Sequence, residues 1–154
     1  MAIGKFKDPK SYALKLLSIR LRSEEELRRR LKRKGFREED IDKAIKDLKE
    51  TGLLNDREFA EAFYESKSKR LWSSSLIASH LKRFGISGEI IEEVLRSKED
   101  EALKEEIVEK MKSMVERSSL KDEDKVRRRL YNYLRRRGFS HSFIMDVLKE
   151  IGKT

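Results

Sequence analysis

The chain has 154 residues, 44% charged and 37% apolar, with one Pro, seven Gly, no Cys and a net charge of +9. This balance favours charged helices over sheet or disorder, and the missing cysteine excludes disulfides, thiolate catalysis and cysteine-held zinc or iron–sulfur centres. No apolar run reaches the roughly 18 residues of a membrane span, and the opening MAIGKFKDPK has no apolar stretch to serve as a secretory leader, so a soluble cytoplasmic protein with no membrane partner is expected.

The first predicted helix opens at Asp8 as N-cap with Pro9 at its first position and runs through SYALKLLSIRL. The second starts at an S-x-x-E box, Ser23 with Glu26, and enters LRRRLKRKGF, where Arg28, Arg29, Arg30, Lys32, Arg33 and Lys34 crowd around Leu27 and Leu31. REEDIDKAIKDLKE supplies the third. Asn55 with Glu58 opens the fourth, which carries FAEAFYESKSKRLW and ends on Trp72 beside Lys67, Lys69 and Arg70. The fifth closes on LKRFGI with Lys82 and Arg83, GISG reads as a turn, and SGEIIEEVLRS follows as the sixth. DEALKEEIVEKMKSMVERS keeps helical spacing through Leu103, Ile107, Met111 and Met114 or Val115. The eighth begins near Asp122 or Asp124 and carries VRRRLYNYLRRRGF, with Arg127, Arg128, Arg129, Arg135, Arg136 and Arg137 around Tyr131 and Tyr133. A ninth helix completes the chain.

These elements repeat. With Gly35, Gly85 and Gly138 in register, Leu31, Leu81 and Leu134 stand four residues before, and Leu27, Ile77 and Leu130 eight before. Ile41, Ile91 and Ile144 stand six after, followed by Ala44 and Ile45, Val94 and Leu95, and Val147 and Leu148. Positions i and i+4 share a helical face and Gly is the usual left-handed residue past a helix end, so each copy is helix, tight turn, helix. An apolar residue follows each Gly (Phe36, Ile86, Phe139), as expected where the chain folds back on the last turn. With a further helix upstream of each pair, the expected fold is all-α: three tandem three-helix repeats, elongated, built of helix-turn-helix-like units over residues 1–52, 53–98 and 99–154.

Charge alternates with the repeats. Residues 1–37 sum to +9, 38–66 to −6, 67–88 to +5, 89–124 to −6 and 125–138 to +7. In each copy the cations lie on the middle helix and the acids on the third. Cations suit a helix C-terminus and can pair with the next helix, but six in ten residues exceed what a cap requires, and Arg favours a bidentate grip on carboxylate or phosphate.

Catalysis has little support. His80 and His141 fall in different repeats with no triad or metal-ligand spacing around them, and no phosphate-cradling Gly loop occurs. No cofactor is expected. Major-groove reading is disfavoured because the would-be recognition helices start acidic. The candidate binding residues are therefore the six cations of LRRRLKRKGF, then Lys69, Arg70, Trp72, Lys82 and Arg83, and the arginines at 127–129 and 135–137. Trp72 suits base stacking, an interface anchor or packing between repeats.

The run YALKLLSIRLRSEEELRRRLKRKGF, followed by IDKAIKDLKETGLLNDREFAEAF, resembles the RecX family of regulatory proteins. The pattern R-x-R-S-x-x-E-L at Arg20 to Leu27, the Gly35-Phe36 turn and GLLND-x-x-FA at Gly52 to Ala60 carry the match. The resemblance implies three tandem three-helix repeats and a regulator that is not an enzyme; a monomer is expected. It implies binding to the RecA filament on single- or double-stranded DNA, lying in its helical groove and inhibiting its ATPase and strand exchange. The family usually has a more basic, Gly-containing lead into the second repeat's middle helix than RLWSSSLIASHLKRFGIS provides, which shifts the expected binding onto the first and third repeats. Without a recombinase partner, the alternative is an independent nucleic-acid-binding protein that does not read sequence.

Overall fold

A computed structural model describes residues 7–96 and 98–152. The expectation about a leader rests largely on residues 1–6, outside this range. The described residues form nine α-helices and no strand: α1 (Pro9–Ile19), α2 (Glu24–Lys34), α3 (Glu38–Glu50), α4 (Asp56–Lys69), α5 (Ser74–Arg83), α6 (Gly88–Leu95), α7 (Lys104–Arg117), α8 (Glu123–Arg136) and α9 (His141–Gly152). A 3-10 turn, Asp100–Leu103, precedes α7, so the segment read as one seventh helix begins with a tighter turn. The caps are those the sequence names. Asp8 accepts from the Ser11 N–H at 2.8 Å, Ser23 from the Glu26 N–H at 3.1 Å, Asn55 from the Glu58 N–H at 3.1 Å and Asp122 from the Asp124 N–H at 2.9 Å.

The repeated glycines all stand in the left-handed region, with φ of 102° at Gly35, 80° at Gly85 and 90° at Gly138. Each closes the same motif: the N–H after the glycine reaches back to the carbonyl five residues earlier, Phe36 to Leu31, Ile86 to Leu81 and Phe139 to Leu134, at 3.1 to 3.3 Å. Leu27, Leu31, Ile77, Leu81, Leu130 and Leu134 are all buried. Ile91 and Leu95 of the second copy are only half-buried, unlike their counterparts in the other two.

The chain separates into two compact units, residues 7–63 with 80–94, and residues 64–79 with 95–152, so α4 and α5 each supply residues to both. The first unit has a core of Ala13, Leu16, Leu27, Leu31, Ile41, Ile45, Leu48 and Leu54. The second is built on Ile107, Met111, Leu130, Leu134, Phe139, Ile144 and Val147, with Leu71 packed among them. Val108, absent from the predicted stripe, is also buried in this core.

Within each unit the same joint recurs. In the first, the Ser23 hydroxyl donates to the Phe84 carbonyl at 2.7 Å, and a Cβ on Gly85 would overlap the Glu25 side chain. In the second, the Ser73 N–H donates to the Arg137 carbonyl at 2.8 Å, and a Cβ on Gly138 would overlap Ser73 and Leu76. The start of one middle helix is thereby seated on the glycine turn of the next. Gly35, with no neighbour within 4 Å of its Cβ position, serves only the turn. A carboxylate completes each joint: Asp56 accepts from the Glu24 N–H at 2.8 Å, and Asp100 from the Ser74 N–H at 2.9 Å.

Candidate partner and nucleic-acid interface

The residues that carry the R-x-R-S-x-x-E-L pattern are consumed by structure. Arg20 and Arg22 both grip the Glu26 carboxylate, Ser23 caps α2, and Leu27 is buried. Arg22 is itself buried and donates to the Leu16 carbonyl at 3.3 Å. Burial lowers its pKa from the ordinary arginine value, partly offset by Glu26. In GLLND, Gly52 turns with φ 78°, Leu54 is buried, Asn55 caps α4 and Asp56 caps α2. These residues are engaged in caps, ion pairs, a turn and core packing.

The cations of α2 divide. Arg28 pairs with Asp42 on α3, Arg29 with Glu25 at 3.4 Å, and the Lys34 ammonium stands 4.9 Å from the Tyr12 ring centre. Arg30, Lys32 and Arg33 make no side-chain hydrogen bond or ion pair among the described residues, nor do Lys82 and Arg83, which are exposed at the end of α5. Of the candidate cations in the first unit, these five are not employed by its packing.

In the second unit the helical period sorts the arginines of α8. Arg127 and Arg128 lie toward α9, near Tyr131 and Met145. Arg129, Tyr133 and Arg137 recur at every fourth position, so they share the face turned toward α7, where Lys110, Ser113, Met114 and Arg117 form the opposing stripe. Tyr133 and Arg137, with those α7 residues and Lys69, Arg70, Leu71 and Trp72, bound a cleft of about 580 Å³ whose lining contains no carboxylate. Exposed pairs at its rim join Lys69 to Glu65 at 3.5 Å and Lys110 to Glu106 at 3.3 Å, a geometry that holds weakly. Arg135 donates to the Phe139 carbonyl at 3.2 Å and Arg136 to the Asn132 carbonyl at 3.4 Å, so both are tied along their own segment.

The cleft has a rigid floor. The Arg137 guanidinium lies 3.5 Å from the Tyr133 ring centre and donates to the Arg70 carbonyl at 3.0 Å, while the Ser73 N–H returns a bond to the Arg137 carbonyl. Helix α4 ends at Lys69, before the predicted end at Trp72, because Leu71 takes φ 62°. The Trp72 N–H then reaches the Lys67 carbonyl at 3.1 Å, the bond the repeats otherwise build around glycine. A leucine in that conformation is strained by about 1–2 kcal/mol, offset by burying its side chain in the core. The turn sets Trp72, half-buried, on the cleft wall.

Of the sequence candidates, the structure brings Lys69, Arg70, Trp72 and Arg137 together and leaves Arg127 and Arg128 on another face. Lys110, Met114, Arg117 and Tyr133 were not among them. Their spacing of three or four along α7 and four along α8 was present in the sequence, but runs of adjacent arginines hid it. Neither histidine lines the cleft: His80 lies beside Phe63 and His141 bonds the Tyr131 hydroxyl at 2.8 Å. Both tyrosines of α8 are half-buried against the core edge.

These features define a tandem helical-repeat protein whose surplus chemistry is cationic surface. Residues 10–48 match the family model described as RecX, first three-helix domain, and residues 55–95 that described as RecX, second three-helix domain. The chain belongs to the RecX family. It is 32% identical over 151 residues to the regulatory protein RecX of Amycolatopsis mediterranei, covering 95% of this chain and 84% of that one. It is 37% identical over 146 residues to that of Thermotoga petrophila, covering 94% and 85%. The fold matches the crystal structure of RecX from Lactobacillus salivarius with a TM-score of 0.76 at 24% identity, over 95% of this chain and 96% of that one. A second crystal structure, of a regulatory protein RecX, matches with a TM-score of 0.73 at 23% identity, over 95% and 72%.

Proposed function

We propose that this protein binds the RecA–DNA filament and restrains RecA's recombinase and ATPase activities, acting by binding and not by catalysis. Membership in a family of regulatory proteins supports the reading. The observation that carries it is the division of labour among the arginines. The family's signature residues are spent on caps and joints, while Arg30, Lys32, Arg33, Lys82 and Arg83 of the first unit, and Arg127 and Arg128 of the second, stay exposed or half-exposed without an intramolecular partner among the described residues. Surface of that kind suits acidic protein and DNA phosphate together. The three repeats, residues 1–52, 53–98 and 99–154, serve as modules of a cytoplasmic monomer.

Binding to RecA-coated single-stranded DNA, measured by co-sedimentation across a salt series, tests this. The wild-type chain is expected to favour the coated over the bare strand, and the triple change Arg30→Ala, Lys32→Ala, Arg33→Ala to weaken filament binding about tenfold. Equal binding to coated and bare strands would favour an independent nucleic-acid-binding protein, the reading to which the aromatic and cationic cleft of the second unit lends weight.

A further inference from the structure

We infer that the cleft bounded by residues 69–72, α7 and α8 is a single-strand subsite that takes an unstacked nucleotide, its base against Trp72 and the Arg137–Tyr133 platform and its flanking phosphates among Lys69, Arg70, Lys110 and Arg117. Three independent observations meet here. The lining combines five cations with two aromatic rings and no carboxylate, the pairing that single-strand binders use: charge to follow the backbone and a flat surface to hold a base. The volume of about 580 Å³ accommodates a nucleotide. The wall is preorganised, because Leu71 is held at φ 62° by burial and the 70–73 segment is clasped to α8 by bonds in both directions between Arg137 and residues 70 and 73.

A duplex has its bases stacked and cannot offer a ring to such a wall, so the cleft selects single strands. An acidic peptide would satisfy the cations but leaves the planar Arg137–Tyr133 surface without a matching partner, and the single-strand assignment is the fuller match. The inference stands beside the recombinase reading: it concerns bare strand, and its failure would leave filament binding untouched.

Trp72 is the chain's one tryptophan, so its emission reports from the cleft directly. Titrating the full chain with oligothymidylate is expected to quench Trp72, with little change on adding duplex of equal length. Trp72→Ala should weaken labelled oligothymidylate about tenfold, Trp72→Phe should keep most of the affinity, and duplex binding should be unaltered. Arg117→Glu, a change at an exposed position, should weaken single-strand binding several-fold and flatten its salt dependence. The proposal is overturned if Trp72 emission does not respond to saturating oligothymidylate, or if Trp72→Ala and Arg117→Glu both bind it as wild type does. Polyglutamate binding as tightly as the oligonucleotide, with the same quench, would overturn it in favour of an acidic-peptide site.

Discussion

Gly35, Gly85 and Gly138 share a backbone conformation but not a workload. Alanine at Gly35 meets only the left-handed penalty, about 1–2 kcal/mol, whereas at Gly85 or Gly138 the added methyl must also displace the start of a neighbouring middle helix. Urea melts are expected to rank Gly85→Ala and Gly138→Ala as clearly more damaging than Gly35→Ala; equal losses would refute the joint. Asp56 is the second telling residue. Burial raises its pKa above the usual aspartate value, and the nearby Glu24 and Glu25 charges add to this against the Glu24 N–H bond and Lys49. The folded state therefore holds the Asp56 proton more tightly than the unfolded chain, so its contribution to stability grows as pH falls through the raised value and is lost as pH rises. Asp56→Asn, which keeps an acceptor for the Glu24 N–H, should match or exceed wild-type stability at neutral pH, with the advantage fading in acid. Asp56→Ala should cost about 1 kcal/mol through loss of the cap. Thermal midpoints of the three proteins across the acid range check both statements.

At the scale of the element, α2 and α8 are each two helices in one. Leu27 and Leu31, or Leu130 and Leu134, form a buried stripe that the fold requires; the remaining faces carry the charge. Replacing Arg30, Lys32 and Arg33 by Ala should leave helical circular dichroism intact and stability within about 0.5 kcal/mol, since no intramolecular bond is lost. A large fall in stability would show that these cations serve the fold. This division was partly legible in the sequence. Caps, glycine turns and apolar stripes are local and periodic, so Asp8, Ser23, Asn55, Asp122 and the three glycines could be read directly. Three things could not. The strained Leu71 depends on burial by distant residues, the Ser23–Phe84 and Ser73–Arg137 bonds span more than sixty positions each, and the cleft needs α7 set opposite α8. Arg127, Arg128 and Arg129 are adjacent in sequence, whereas the helical turn of about 100° per residue carries Arg129 toward α7 and away from the face that Arg127 and Arg128 share.

At the scale of the molecule, alternating blocks of charge coincide with a repeated architecture whose joints place serine, carboxylate and glycine at corresponding positions in both units. Acidic third helices absorb some of the basic charge, as the Arg28–Asp42 and Arg57–Glu93 pairs show, but the chain keeps a net charge of +9. Among the described residues no helix is long and apolar enough to cross a membrane. On the proposed reading, this surplus charge, not the family's signature residues, restrains a RecA filament. ATP hydrolysis by RecA on single-stranded DNA, followed as the protein is added, tests it most directly. The wild-type chain is expected to suppress hydrolysis, and the Arg30→Ala, Lys32→Ala, Arg33→Ala protein, folded and equally stable, to need about tenfold more for the same suppression. Undiminished hydrolysis with the wild-type chain, or unchanged potency in the triple variant, would contradict the account.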